Sequence, residues 1–75
     1  MKVVTLATYK GKPFTEVSLR ANILAIGREL ERQDWSSMSS KQAEAWCLKR
    51  AKEKGVPPSL RSAVAYGAMK YVIGR

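Results

Sequence analysis

Apolar and polar positions divide the chain into four segments. Val3 to Tyr9 is rich in β-branched residues and stops at Lys10-Gly11-Lys12-Pro13, where Gly permits unusual φ and Pro opposes further pairing. This segment predicts a strand. The next residues allow two readings, a hairpin partner over 14–19 or a helix capped by Thr15. The helix is the better reading: Phe14 and Leu19 suit a hydrophobic staple, and Glu16 complements the positive helix end. Leu19, Ile23, Ile26 and Leu30 then recur at spacings of four, three and four, one narrow helical stripe that runs out near Gln33. Gly27 flanks the stripe, where a second backbone can come close.

Asp34 to Ser40 is a Ser-rich connection, with Ser39 or Ser40 as the cap of the next helix and Trp35 and Met38 expected to fold over the core. From Lys41 to Lys54 two faces separate: Ala43, Trp46, Cys47 and Ala51 fall together, and Lys41, Ala45, Lys49 and Lys52 lie opposite. Cys47 is thus expected to be a small buried hydrophobe rather than a nucleophile. Gly55 supplies a left-handed cap, and Pro57 and Pro58 cannot continue the helix. Ser59 is expected to cap a last helix through Ile73, whose main apolar face is Leu60, Ala63, Val64, Gly67 and Tyr71. Tyr66, Met69 and Ile73 form a second apolar strip on nearly the opposite side. The expected fold is mainly α, an N-terminal β-strand or hairpin followed by a three-helix bundle, in a single domain spanning residues 1–75.

Charge adds a direction to this outline. The 75 residues carry 14 Lys and Arg against 6 Asp and Glu, a net charge of +8. Residues 1–34 hold six cations and four anions; residues 35–75 hold eight cations and two anions, so the C-terminal half is the basic one. Such a balance favours a nucleic acid, an anionic surface or an acidic protein as partner. Lys41, Lys49 and Lys52 on one helical face, with the small Ala45 among them and Arg50 and Arg61 near the helix end, can lie along a phosphate backbone.

Catalytic constellations fail on inspection. With no His and one Cys, the chain has no imidazole base, no Ser-His or Cys-His nucleophile, no His-containing zinc site and no internal disulfide. Glu29 and Glu31 sit two apart on a helix and point to different sides, and the five glycines are too dispersed for a phosphate loop. No cofactor or metal is expected. The apolar stretch from Val3 to Ala7 is too short for a signal peptide, and the run from Ile23 to Gly27 is far below the roughly 20 residues that cross a bilayer. With a lone thiol, this predicts a cytoplasmic, intracellular chain with no membrane partner.

Two resemblances accompany these readings. A strand over Lys2 to Thr8 followed by helices at 15–33 and 41–54 is similar in outline to the ribbon-helix-helix DNA-binding family, which implies strand pairing between two copies. Trp35-Ser36 and the Ala, Trp and Lys alternation of Lys41 to Lys52 resemble short phage-encoded accessory or early proteins. That resemblance implies binding to a host component or nucleic acid and brings no catalytic residue.

The function expected is therefore a small basic, non-enzymatic protein that binds nucleic acid, duplex DNA first, in an accessory or regulatory role. The alternative is a phage-type inhibitor or adaptor that meets an acidic host protein through Tyr66, Met69, Ile73 and the basic face. A homodimer through the last helix and the strand is also expected, because a short chain with a two-sided apolar helix gains core by self-association.

Overall fold

The computed structural model describes residues 3–74; Met1, Lys2 and Arg75 lie outside the described residues, and with them the first residue of the strand expected over Lys2 to Thr8. Strand β1 (Thr5–Tyr9) and strand β2 (Lys12–Thr15) form an antiparallel hairpin. Three helices follow, α1 (Glu16–Glu31), α2 (Ser40–Glu53) and α3 (Arg61–Ile73), with short 3-10 turns at Trp35–Ser37 and Pro58–Leu60.

The hairpin closes through Lys10 and Gly11, at φ 53° and 76°. Two successive positive φ values are the signature of a type I′ turn, whose twist matches that of the strands it joins. Pairing runs from Tyr9 opposite Lys12 to Thr5 opposite Thr15, with a bulge between Thr5 and Ala7. Pro13 stands within β2, opposite Thr8, although it was expected to stop pairing. A two-stranded ribbon explains this: each strand is an edge, and an edge position tolerates the missing N–H. Strand and helix therefore share the 14–19 segment, β2 ending at Thr15 and α1 starting at Glu16. The partner that β1 requires is supplied within the chain.

Thr15 ends the strand and caps the helix together. Its hydroxyl accepts the Ser18 amide at 3.2 Å, while the Glu16 amide reaches back to the Val4 carbonyl at 3.0 Å. Helix α2 starts with a complete capping box: the Ser39 hydroxyl accepts from the Gln42 amide and the Gln42 side chain accepts from the Ser39 amide. It ends in a Schellman motif centred on Gly55 at φ 82°. The Gly55 amide donates to the Lys52 carbonyl, and the Val56 amide to that of Ala51. This places Val56 against Ala51 in the core, both fully buried.

Helix α3 packs on both α1 and α2. Ile26, Leu30, Cys47, Val64 and Ala68 are fully excluded from solvent, and Phe14 pins the hairpin to them. Burying side chains of the Ile or Leu size stabilises by about 1.5–3 kcal/mol each. Leu19 and Ile23 of the same α1 stripe are half-buried against this core, as are Trp35 and Met38 of the connection. Among the described residues no polar or charged side chain is buried.

Two expectations for the last helix are corrected. Ser59 does not cap it; Ser59 sits in the 3-10 turn, and α3 begins at Arg61 with no side-chain cap. Ala63 is exposed, and Ala65, Ala68 and Val72 are buried beside Val64. Gly67 and Tyr71 of the expected face do pack inward, on α1, where Gly27 admits the Tyr71 ring rather than a neighbouring backbone. Helix α1 ends at Glu31 with Arg32 as its cap, close to the end expected near Gln33.

Candidate nucleic-acid interface

Helix α2 buries Ala43, Cys47 and Ala51, a stripe that fixes its rotation on the core. Lys41, Ala45, Lys49 and Lys52 consequently face solvent together. At about 1.5 Å of rise per residue, Lys49 stands roughly 12 Å along the axis from Lys41, and Lys52 about 4.5 Å beyond it. None of the three lysines makes an ion pair among the described residues. The capping box at one end and the Schellman motif at the other hold the helix that carries them.

The two arginines expected beside this face are engaged elsewhere. Arg50 is turned toward α1: its Nε donates to Glu29 Oε1 at 2.7 Å and a terminal nitrogen donates to Glu53 Oε1 at 3.0 Å. Lys54 meets the other Glu29 oxygen at 2.8 Å. Glu29 is thus held between two cations, and the Arg50 hydrogen bond, followed by that of Lys54, lowers its pKa below the ordinary 4.5. Arg61 lies at the hairpin. Its Nε donates to the Val56 carbonyl at 2.8 Å and a terminal nitrogen donates to the Tyr9 hydroxyl at 3.2 Å, with the guanidinium 5.8 Å from the Tyr9 ring centre. Of the five candidate residues, the fold assembles Lys41, Lys49 and Lys52, and uses Arg50 and Arg61 to tie elements together.

The second candidate set is also brought together. Tyr66, Met69 and Ile73 line one open groove of about 650 Å³ between α2 and α3, with Leu48 and Glu44 from α2 and Lys70 from α3. Tyr66 is 69% exposed and Ile73 48%, whereas Met69 is half-buried with its inner side on the core. The α2 side of the groove is lined by Ser40, Glu44 and Leu48, one stripe at i, i+4 and i+8. Lys70 had not been singled out from the sequence; its place one residue from Met69 on the exposed side of α3 was the available signal.

Cys47 is buried, and burial pushes its thiol up to about 11. A thiol so protonated is inert at neutral pH. Among the described residues, no cluster of three or more His, Cys, Asp or Glu is arranged to hold a metal ion, and no helix is long and apolar enough to cross a membrane.

No family model, curated protein or solved structure matches this chain.

Proposed function

We propose that this protein is a small, non-enzymatic nucleic-acid-binding protein of an accessory or regulatory kind, which lays the outer face of α2 along the phosphate backbone of duplex DNA. The observation that carries this is the set of exposed, unpaired lysines at 41, 49 and 52 around Ala45. Small bulk at Ala45 lets the helix axis approach the strand, and each Lys supplies a mobile point charge without reading a base. Binding of this kind is sequence-tolerant and falls steeply with salt. The test is fluorescence anisotropy of a random-sequence duplex at low and moderate salt, with a single strand of the same length beside it. Tighter binding to the duplex, lost on adding salt, supports the reading; no binding at low salt contradicts it.

A second reading rests on the groove between α2 and α3. Its apolar floor of Leu48, Tyr66, Met69 and Ile73, with Lys70 and Glu44 as its charged lining on a chain of net charge +8, fits an amphipathic segment of an acidic protein. A second copy of this chain is less well matched, since each copy carries +8. Capture from nuclease-treated lysate distinguishes the readings: an identified acidic protein that is still captured after nuclease treatment and is lost with Tyr66→Ser and Ile73→Asp favours the groove. Dimerisation in sedimentation equilibrium, abolished by Ile73→Asp, makes the second copy its occupant.

A further inference from the structure

The hairpin, the first turns of α1 and the end of α2 enclose a depression of about 380 Å³, away from the lysine face of α2. Three lysines, Lys10, Lys12 and Lys54, line it, Ser18 and Asn22 add polar groups, and none of its lining residues is a carboxylate. Lys54 lies about 200° around the helix from Lys52, which separates this depression from the outer face. Lys54 is paired with Glu29, but Lys10 and Lys12 make no ion pair among the described residues. Behind the wall stands a fourth cation: Arg61 bonds the Tyr9 hydroxyl and lies near the same ring over which the Lys10 ammonium sits at 5.3 Å.

Lys10 and Lys12, neither of them in an ion pair among the described residues, bring like charge to one depression, and an anion seated there relieves their repulsion. The placement of Lys10 points the same way. It occupies the first central position of the type I′ turn at φ 53°, where Asn, Asp or Gly is the ordinary choice and a long side chain is strained. The strain is accepted at a position that sets an ammonium at the lip of the depression. Several separate ammonium groups suit a compact anion with oxygens on all sides, whereas a planar carboxylate is better met by an arginine fork. Arg61, the guanidinium at hand, is already engaged with a carbonyl and a phenol.

We propose that this depression is a phosphate-binding site, distinct from the α2 face, with Lys10 and Lys12 as its principal contacts and Lys54, Ser18 and Asn22 completing it. It stands whether or not α2 binds DNA. The test follows amide chemical shifts of the whole chain during titration with pyrophosphate, at constant ionic strength balanced by chloride, and separately with a short duplex lacking terminal phosphates. Saturable shifts centred on Gly11, Ser18 and Gly55 are expected. Lys10→Gly with Lys12→Thr should weaken pyrophosphate binding by about tenfold or more. Gly suits the left-handed turn and Thr suits a strand, so the Val64 and Ala68 amides should stay in place. Lys12→Gln alone provides a milder second variant.

Saturation by pyrophosphate alone identifies a free phosphate compound as the source, and saturation by the duplex identifies a phosphodiester; both support the site. Shifts that chloride reproduces, that spread along Lys41 to Lys52 instead, or that persist unweakened in the folded Lys10 and Lys12 variants overturn it.

Discussion

Tyr71 lies so close over Gly27 that a Cβ at position 27 would stand 2.6 Å from its Cδ1. The same two helices interlock in the opposite sense nearby, where a Cβ on Gly67 would meet Ile23 Cδ1 at 2.8 Å. Each helix lacks a side chain where the other presents one, and this brings α3 onto α1.

Gly27→Ala therefore sets two effects against each other. Alanine gains about 1 kcal/mol of helix propensity, while crowding the base of the Tyr71 ring costs about 1–3 kcal/mol. A net loss of about 1 kcal/mol is expected. In a Tyr71→Ala background the obstruction is gone, and the same substitution should stabilise by about 1 kcal/mol. Thermal melts of the four chains check this; an effect of the same sign in both backgrounds contradicts the packing.

Within the α1 stripe, burial ranks the cost of truncation. Ile26 is fully buried and Ile23 only half, so Ile26→Ala should cost about 2–5 kcal/mol, enough to unfold a chain this small. Ile23→Ala should cost less, and Leu24→Ala, at an exposed site, within about 0.5 kcal/mol. Urea midpoints give the order directly.

Acid should weaken the tie between α1 and α2. Arg50 and Lys54 lower the folded pKa of Glu29 from 4.5, so its contribution is fully present above that value. The contribution is lost as pH falls through the lower folded value. Glu29→Gln should be destabilising near neutrality and close to neutral in effect once the parent's carboxyl is protonated. Urea midpoints followed from neutral pH down through the acid range make the comparison, the gap closing as the parent's carboxyl takes up its proton. A gap that stays constant while the carboxyl titrates would mean that the ion pair contributes nothing.

Cys47, buried with its thiol raised to about 11, should react with a maleimide only when the chain opens. Labelling of the native protein is expected to be about a hundredfold or more slower than in denaturant, in keeping with a core worth about 3–5 kcal/mol. Ile26→Ala should abolish most of that protection.

Much of this fold was legible because local signals agreed with the packing. Thr15, Ser39 and Gly55 cap as their residue types suggest, and the α2 stripe of Ala43, Cys47 and Ala51 separated cleanly from its lysines. Helix α3 was harder because it is apolar nearly all round. Its small alanines fit either face, and only contact with both other helices buries Ala65 and Ala68 rather than Ala63. Strand β2 is four residues long and contains Pro13, too short for alternation to show. The partners of Arg50 and Arg61 were not legible: Glu29 is 21 residues from Arg50 and Tyr9 is 52 from Arg61, so tertiary packing decides which cations stay free. That sorting leaves Lys41, Lys49 and Lys52 to the candidate interface.

The most direct test of that interface is the slope of log binding constant against log salt for a random-sequence duplex. Each phosphate contact removed should lower the slope by about 0.9. Lys49→Gln should thus lower it by about 0.9, and the chain with Gln at 41, 49 and 52 by about 2.7, with its thermal melt preserved because all three side chains are exposed. A folded triple variant whose slope equals that of the parent contradicts the assignment of DNA binding to this face.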